Sequence, residues 1–483
     1  MRVAVIGGGN AALCAAISAS ECGCDVYVFE RAPFEMRGGN SRFTAGAMRT
    51  VYDGVWDLKK LIPDLTKAEI DRTDFGSYTR DQFFDDLGRL THYRSDPDLS
   101  ETLIDQSFST LLWMHENGVR FLPLYGRQSF NVDGKQRFWG GLTVEAWGGG
   151  EGLIDILTSI ARQKDVQIRY DARVSELSLR DGGFEFDVWG EQVSFDRVIL
   201  ACGGFESSAE WRTRYLGPNW DLARVRGTRY NTGDGLRMAM NLGAEACGNW
   251  SGCHAVAWDL NAPDYGDLDV GDNFQKHSYP LGILVNNEGK RFLDEGADFR
   301  NFTYAKYGRE ILAQTNQTAW QIFDQKVAPL LRDEYRIKQV TRYSASSLKE
   351  LASRMGVHGN SFLETAETFN HAVNQDIPFN PAIKDGRGTV GLDIPKSNWA
   401  QALDKPPFEA YGVTCGITFT FGGIRINEKA QVLDQSGNPI PGLYAAGELV
   451  GGLFYFNYPG GSGLTSGAVF GKIAGREAAR PTN

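Results

Sequence analysis

Residues 2–30 read RVAVIGGGNAALCAAISASECGCDVYVFE, and the order of residue types there decides the fold. Arg2 to Ile6 is a short apolar run that reads as a buried strand. Ala11 to Glu21, rich in Ala, Leu and Ile, reads as a helix, and Asp25 to Phe29 alternates and reads as a second strand. Strand, helix and strand over this length make a βαβ unit. The turn Gly7-Gly8-Gly9-Asn10-Ala11-Ala12 fits G-x-G-x-x-G/A, with Ala12 in the third place. Gly7 serves the tight turn, Gly9 admits a pyrophosphate against the backbone, and Ala12 lets helix and strand pack closely. The helix start, with Asn10 and Ala11 first in line, offers free N–H groups and a positive dipole end to phosphates. Glu30 ends the second strand, where an acid can accept from a ribose hydroxyl, and Arg31 stands beside it. A glycine turn in an unrelated α/β protein is the other reading. The acid and both strands in place favour dinucleotide binding.

The chain has 483 residues, which suggests two or three compact units. Hydrophobic residues at 42% and charged residues at 23% suit a soluble globular protein. Net charge is −10 with no Lys/Arg stripe, so nucleic acid is not an expected partner. No apolar run reaches the roughly 18 residues of a membrane span. The first 20 residues lead through three glycines into a strand, which suits a folded βαβ start better than a signal peptide. Seven scattered cysteines without CxxC spacing argue against a disulfide framework or a metal site, and a reducing cytoplasm is expected.

Further along, Val166 to Tyr170, Phe184 to Val188 and Arg197 to Ala201 read as strands of the same nucleotide domain. Between about 240 and 405 the character changes to Asp/Asn-rich loops and a helical stretch from Ser346 to Val373. Nucleotide-domain character then returns at Gly442 to Glu448. The expected organisation is a discontinuous, Rossmann-like cofactor domain (1–246 and 406–483) of α/β class, with one inserted α+β domain (247–405). Two segments favour FAD over NAD. One is Gly38-Gly39-Asn40-Ser41. The other is the pair Gly447-Glu448 and Gly460-Gly461-Ser462-Gly463-Leu464. Glu448 would meet a ribityl chain. The glycines open a last helix whose dipole suits the anionic end of a reduced flavin. Arg173 and Val174 are expected to line the same cofactor.

At this point the chain resembles the fumarate reductase/succinate dehydrogenase flavoprotein superfamily. The matching stretches are GGGNAALCAA (7–16), RGGNS (37–41), NWSGCHAVAWD (249–259), GDNFQKHSYPLGILVN (271–286), GKRFLDEGADFRN (289–301), VTCGITFTFGG (413–423) and FNYPGGSGL (456–464). Within that group it is most similar to the tricarballylate dehydrogenases. The resemblance implies that the discontinuous domain is an FAD-binding domain, that the inserted region 247–405 is a capping domain closing over the flavin, and that Asn231-Thr232-Gly233-Asp234-Gly235 is a flavin-side turn. Ala201-Cys202-Gly203-Gly204 stands where the family carries Ala-Thr-Gly-Gly. The His that carries covalent FAD in membrane-bound relatives would sit near 38–46. No His lies there, so non-covalent FAD is expected. A separate, membrane-associated electron acceptor is implied too.

The same resemblance assigns the substrate end. His254 matches a carboxylate-binding His, and Arg300 falls near the proton-transfer Arg of fumarate reductases. Arg is a good carboxylate clamp and a poor base, so a neighbour must accept its proton, with Glu295 or Asp294 as candidates. A surface salt bridge is the other reading of Asp294 and Asp298. Phe419 and Tyr458 stand where that family carries its second His and Arg. Thr418 and Thr420 remain as hydroxyl donors. Tyr458 before Pro-Gly is similar to ketosteroid Δ1-dehydrogenases, where such a Tyr holds a carbonyl, and Tyr458 or Tyr279 could serve as base. His277 and Tyr279 read as site residues or as a structured loop. Trp139, Trp147 and Trp258 read as pocket walls or core.

The implied function is dehydrogenation, or reverse reduction, of a carbon–carbon bond next to a carboxylate in a small polycarboxylate. A bulky ketone as substrate, and a flavin-binding redox subunit without catalysis, are the alternatives.

Overall fold

The structure, a computed structural model, describes residues 1–138, 140–141, 143–180 and 182–481. Arg2–Ile6 pairs in parallel with Asp25–Phe29 on one side and Arg197–Leu200 on the other. Gln167–Arg169 extends the sheet beyond Asp25–Phe29, and Pro439–Ala445 extends it beyond Arg197–Leu200. Gln431–Leu433 closes that edge antiparallel. The sheet thus takes its strands from both ends of the chain. Val3, Ala4 and Val5 are fully buried, as a parallel strand covered on both faces requires.

One cover is the opening helix Asn10–Glu21 packed on the last helix Ser462–Ala478. Glycines let the two backbones touch. A Cβ on Gly475 would stand 2.2 Å from the Ala15 carbonyl oxygen, and one on Gly471 2.4 Å from that of Ala11. This contact ties residue 10 to residue 464 and brings both glycine turns to one place.

Phe184–Val188 does not join the parallel sheet as expected. It is the middle strand of a separate antiparallel sheet, Ser178–Arg180, Gly183–Val188 and Glu191–Phe195. Its Phe186 and Phe195 rings pack edge-on against Phe29, so the hairpin lids the sheet instead of extending it. The helical stretch expected over 346–373 is two helices, Leu348–Met355 and Gly359–Ala372, broken at Gly356.

The second large sheet is built around the 17-residue strand Phe408–Ile424. It pairs antiparallel with Ala246–Asp259, Ala319–Phe323 and Arg342–Ala345, and in parallel with Arg224–Val225. Ile283–Val285 forms the far edge. The pairing with Ala246–Asp259 has a bulge: His254 faces Phe419, but Ala255 faces Ile417, so Thr418 has no partner across the ladder. A bulge turns side chains out of strict alternation. This is a mixed α/β fold, with an FAD-binding domain and a capping domain.

Among the described residues no helix is long and apolar enough to cross a membrane, and no His/Cys/Asp/Glu group could hold a metal ion. All seven cysteines are free thiols.

Candidate active site

A cavity partly open to solvent runs from the βαβ turn to the bulge in the second sheet. Its lining spans the βαβ turn, the turn before the last helix and the second sheet, a reach that suits an extended cofactor.

At one end the wall is the glycine turn. Gly7 has φ +116°, and a Cβ there would lie 2.3 Å from the Ala201 carbonyl oxygen, so glycine alone fits. The caps of the two main helices, Gly9 and Gly461, contribute no side chain, which leaves both N-terminal dipole ends open toward the cavity. Asn10 joins them: its Nδ2 donates to the Leu464 carbonyl at 2.8 Å, and its backbone N–H donates to Ser41 Oγ. Glu30 is buried, accepts from the Ala32 N–H at 2.7 Å, and is pushed up to about 6 by burial. Asn40 accepts from the Thr228 N–H and donates to Glu206 Oε1 and the Thr418 carbonyl. Glu448 accepts from the Thr420 N–H at 2.8 Å. Glycine approaches, open helix ends and an acid at each end fit FAD.

Of the cofactor residues expected from sequence, the cavity brings together Gly7, Gly9, Asn10, Ala11, Glu30, Arg31, Gly39, Asn40, Ser41, Val174, Ala201, Gly203, Gly447, Glu448, Gly461, Gly463 and Leu464. The others stand behind this wall. Gly38 packs on Ile154, Gly204 on Thr420 and Glu448, and Gly235 on Cys202. Ala12 is fully buried, and Ser462 Oγ donates to the Pro459 carbonyl. Arg173 turns away to Asp234, which also binds Arg31, while Thr232 accepts from Arg31.

At the other end stand His254, Arg300, Tyr458 and Thr418. Tyr458 Oη is 2.8 Å from His254 Nδ1, and Tyr304 Oη is 3.5 Å from Tyr458 Oη. Arg226 reaches Thr418 Oγ1 at 3.2 Å and shares the Asp272 carboxylate with Arg127. Arg300 is buried and has no carboxylate within ion-pair distance among the described residues. It donates to the Arg127 carbonyl at 3.0 Å and contacts His277 Nδ1 at 3.3 Å. His254 Nε2 and Gln275 Nε2 are buried without hydrogen-bond partners among the described residues. Burial first, then Arg226, holds His254 well below its ordinary pKa, so the ring is neutral.

The family described as FAD binding domain matches residues 2–464. The chain belongs to it. Fumarate reductase (cytochrome) of Shewanella frigidimarina is 29% identical over 490 residues, covering 99% of this chain and 77% of that one. Digoxin reductase of Eggerthella lenta is 25% identical over 530 residues, covering 99% and 86%. Among solved structures, the open conformation of a flavocytochrome c3 fumarate reductase superposes with a TM-score of 0.72 at 26% identity, over 99% of this chain and 78% of that one. A 3-ketosteroid Δ1-dehydrogenase from Sterolibacterium denitrificans shares the fold, with a TM-score of 0.73 at 19% identity, over 99% of both chains. This FAD binding domain protein is an FAD-dependent oxidoreductase of the fumarate reductase superfamily, acting on carbon–carbon bonds.

Several expected site residues do not face its cavity. Glu295 is fully buried against Arg291 at 2.6 Å and accepts from the Leu284 N–H, which turns it away from Arg300. Thr420 is fully buried under Glu448. Asp294 caps Gly296 and Ser397, and Asp298 pairs with Arg89 and Lys384. Tyr279 is buried on Thr303 Oγ1. Trp147 is exposed and Trp258 is core; Trp139 lies outside the described residues. Sequence reasoning missed Arg127, Arg226, Asp272, Gln275, Tyr304 and Glu206. Gln275 lies inside a matching stretch, and Glu206 follows Gly203-Gly204 by two residues, so both had a local signal.

Proposed function

We propose that this protein dehydrogenates, or in reverse reduces, a carbon–carbon bond next to a carboxylate of a small polycarboxylate, with tricarballylate and cis-aconitate as the model pair. The observation that carries this reading is the charge of the cavity. Arg127, Arg226 and Arg300 face it; Asp272 pairs with the first two, and Arg300 has no carboxylate within ion-pair distance among the described residues. A buried cation without a partner costs several kcal/mol, which an anionic substrate offsets.

FAD bound between the two helix starts supplies a hydride acceptor or donor at one carbon. Glu30 takes the ribose of its adenosine half, Glu448 the ribityl chain, and no covalent link is expected. Arg300 and His254 Nε2–H hold carboxylates, and Gln275 adds an amide donor. Held this way, the substrate's α-carbon is acidified where negative charge develops. The cap spans 247–405, the protein works in the cytoplasm, and electrons leave to a separate acceptor, a membrane-associated redox protein.

A bulky-ketone substrate is the second reading. It is favoured by Phe419, Phe454 and Tyr458, whose rings pack within 4.8–6.0 Å of one another. Anaerobic addition of tricarballylate should bleach the flavin's visible band. Bleaching by a 3-ketosteroid alone supports the second reading, and no bleaching by any small acid or ketone supports a non-catalytic redox subunit. Arg300→Ala should lower turnover by about 10²–10⁴-fold with FAD retained.

A further inference from the structure

Arg300 meets the substrate as a guanidinium, which has no lone pair to accept a proton. In the dehydrogenating direction its own proton must therefore go elsewhere as it takes one from carbon. No neighbouring acid takes it: Glu334, the acid whose charge acts on Arg300, is not within hydrogen-bond distance of it, Glu295 is held by Arg291 and the Leu284 N–H, and Asp294 by Ser397 and the Gly296 N–H. One base does touch Arg300. Its NH1 lies 3.3 Å from His277 Nδ1, while its NH2 donates to the Arg127 carbonyl, a far weaker base. Because Arg300 can only donate, His277 Nδ1 is unprotonated and the ring carries its hydrogen on Nε2. That Nε2 is buried with no hydrogen-bond partner among the described residues. Tyr304 packs on the ring at 5.1 Å. The charged and titratable groups facing it are Arg300, Arg226, Arg127 and His254. Burial and these cations keep the imidazole neutral, and so able to accept.

We propose that His277 is the proton acceptor behind Arg300, a positioning residue that acts on substrate only through that guanidinium. The inference rests on the reading of Arg300 given above. The α-carbon–hydrogen bond breaks and an N–H bond forms on Arg300. A different Arg300 N–H breaks in the same step, and Nδ1–H forms on His277. The α-carbon electron pair becomes the new π bond, and FAD, held by the two helix starts, would supply the acceptor for the hydride of the neighbouring carbon. As product leaves, Arg300 passes the substrate-derived proton to water entering the cavity and takes back the Nδ1 proton, which restores the Nε2–H ring; reduction runs the same transfers backwards.

The holoenzyme tests this in two ways. The chain holds six histidines, few enough for imidazole nitrogens to be resolved by NMR after ¹⁵N-histidine labelling. The signals lost in His277→Asn should belong to a neutral Nε2–H ring at neutral pH; an Nδ1–H ring overturns the proposal. Asn keeps an acceptor oxygen for Arg300 but takes no proton, so FAD content should not change. His277→Gln serves if that variant does not fold. With tricarballylate as donor or fumarate as acceptor, whichever the wild type uses, the variant should lose about 10²-fold in kcat at near-constant KM. It should also lose the acid limb of the dehydrogenation pH profile. Wild-type kcat and profile in the variant overturn the proposal. If Arg300→Lys also turns over normally, the reading of Arg300 itself falls.

Discussion

Tyr458 Oη lies 2.8 Å from His254 Nδ1, and this hydrogen bond decides which ring nitrogen faces the cavity. Tyr304 donates to Tyr458 Oη, which frees the Tyr458 proton for Nδ1. Burial raises the Tyr458 phenol well above its usual range, so it remains a donor. The neutral His254 ring is thereby held as the Nε2–H tautomer, a donor to substrate. Tyr458→Phe should raise KM for tricarballylate by about tenfold, the worth of one hydrogen bond, with FAD content unchanged. Steady-state kinetics at fixed pH checks it, and an unchanged KM would free His254 from this control.

The two buried histidines make stability depend on pH with a definite sign. Unfolded, each titrates near ~6.5; folded, both are held well below that by burial. Between those limits the unfolded chain binds more protons. Their contribution is therefore complete above pH ~6.5 and is lost as pH falls toward the folded values. His277→Gln lacks one such group. On acidification, wild type should lose up to about 1.4 kcal/mol per pH unit more than the variant. Thermal melts at several pH values measure the difference, and parallel curves would count against a neutral buried ring.

Glu30, pushed up to about 6 by burial, gives cofactor binding its own pH dependence. Ionised, it accepts from a ribose hydroxyl; protonated, it loses acceptor strength. FAD affinity of the apoprotein should fall as pH drops through that value. In Glu30→Gln it should be weaker by about tenfold or more and flat with pH, since a hydrogen bond to a charged group is worth ~1.5–3 kcal/mol. Reconstitution followed by flavin fluorescence reads both.

The cofactor end was legible because its signals are local. Six residues after one strand, and five before the last helix, carry glycines that a backbone contact demands, and Gly7 is where that reading and the structure meet most closely. The substrate end was less legible because its contacts are remote or shifted. Arg226 and Arg127 meet at Asp272 across 46 and 145 residues, a convergence no spacing reveals. Glu295 reads as a neighbour of Arg300, yet Arg291 lies one helical turn's spacing away and captures it. Thr418 and Thr420 should share one face of a strand. The bulge opposite His254 turns Thr418 to the cavity and leaves Thr420 beneath Glu448.

Glu206 carries the last prediction. It is fully buried beside Glu448, and its Oε1 accepts from Asn40 Nδ2 and Asn231 Nδ2, both at 2.6 Å. Burial, then the Glu448 charge, raises Glu206 well above the usual carboxylate range, so of the two acids it is the one that holds a proton. Two carboxylates this close in a dry site cannot both ionise cheaply. Glutamine copies the protonated acid, with one acceptor and one donor end. Glu206→Gln should therefore keep its FAD and melt within ~1 kcal/mol of wild type. Glu206→Ala leaves the Asn231 amide without its acceptor, at about 1–3 kcal/mol. It also loosens Asn40, which then holds only the Thr418 carbonyl and the Thr228 N–H, so FAD should dissociate more readily. Melting curves and FAD retention on gel filtration separate the two variants. If glutamine were as damaging as alanine, Glu206 would have to be ionised, and Glu448 would have to carry the shared proton.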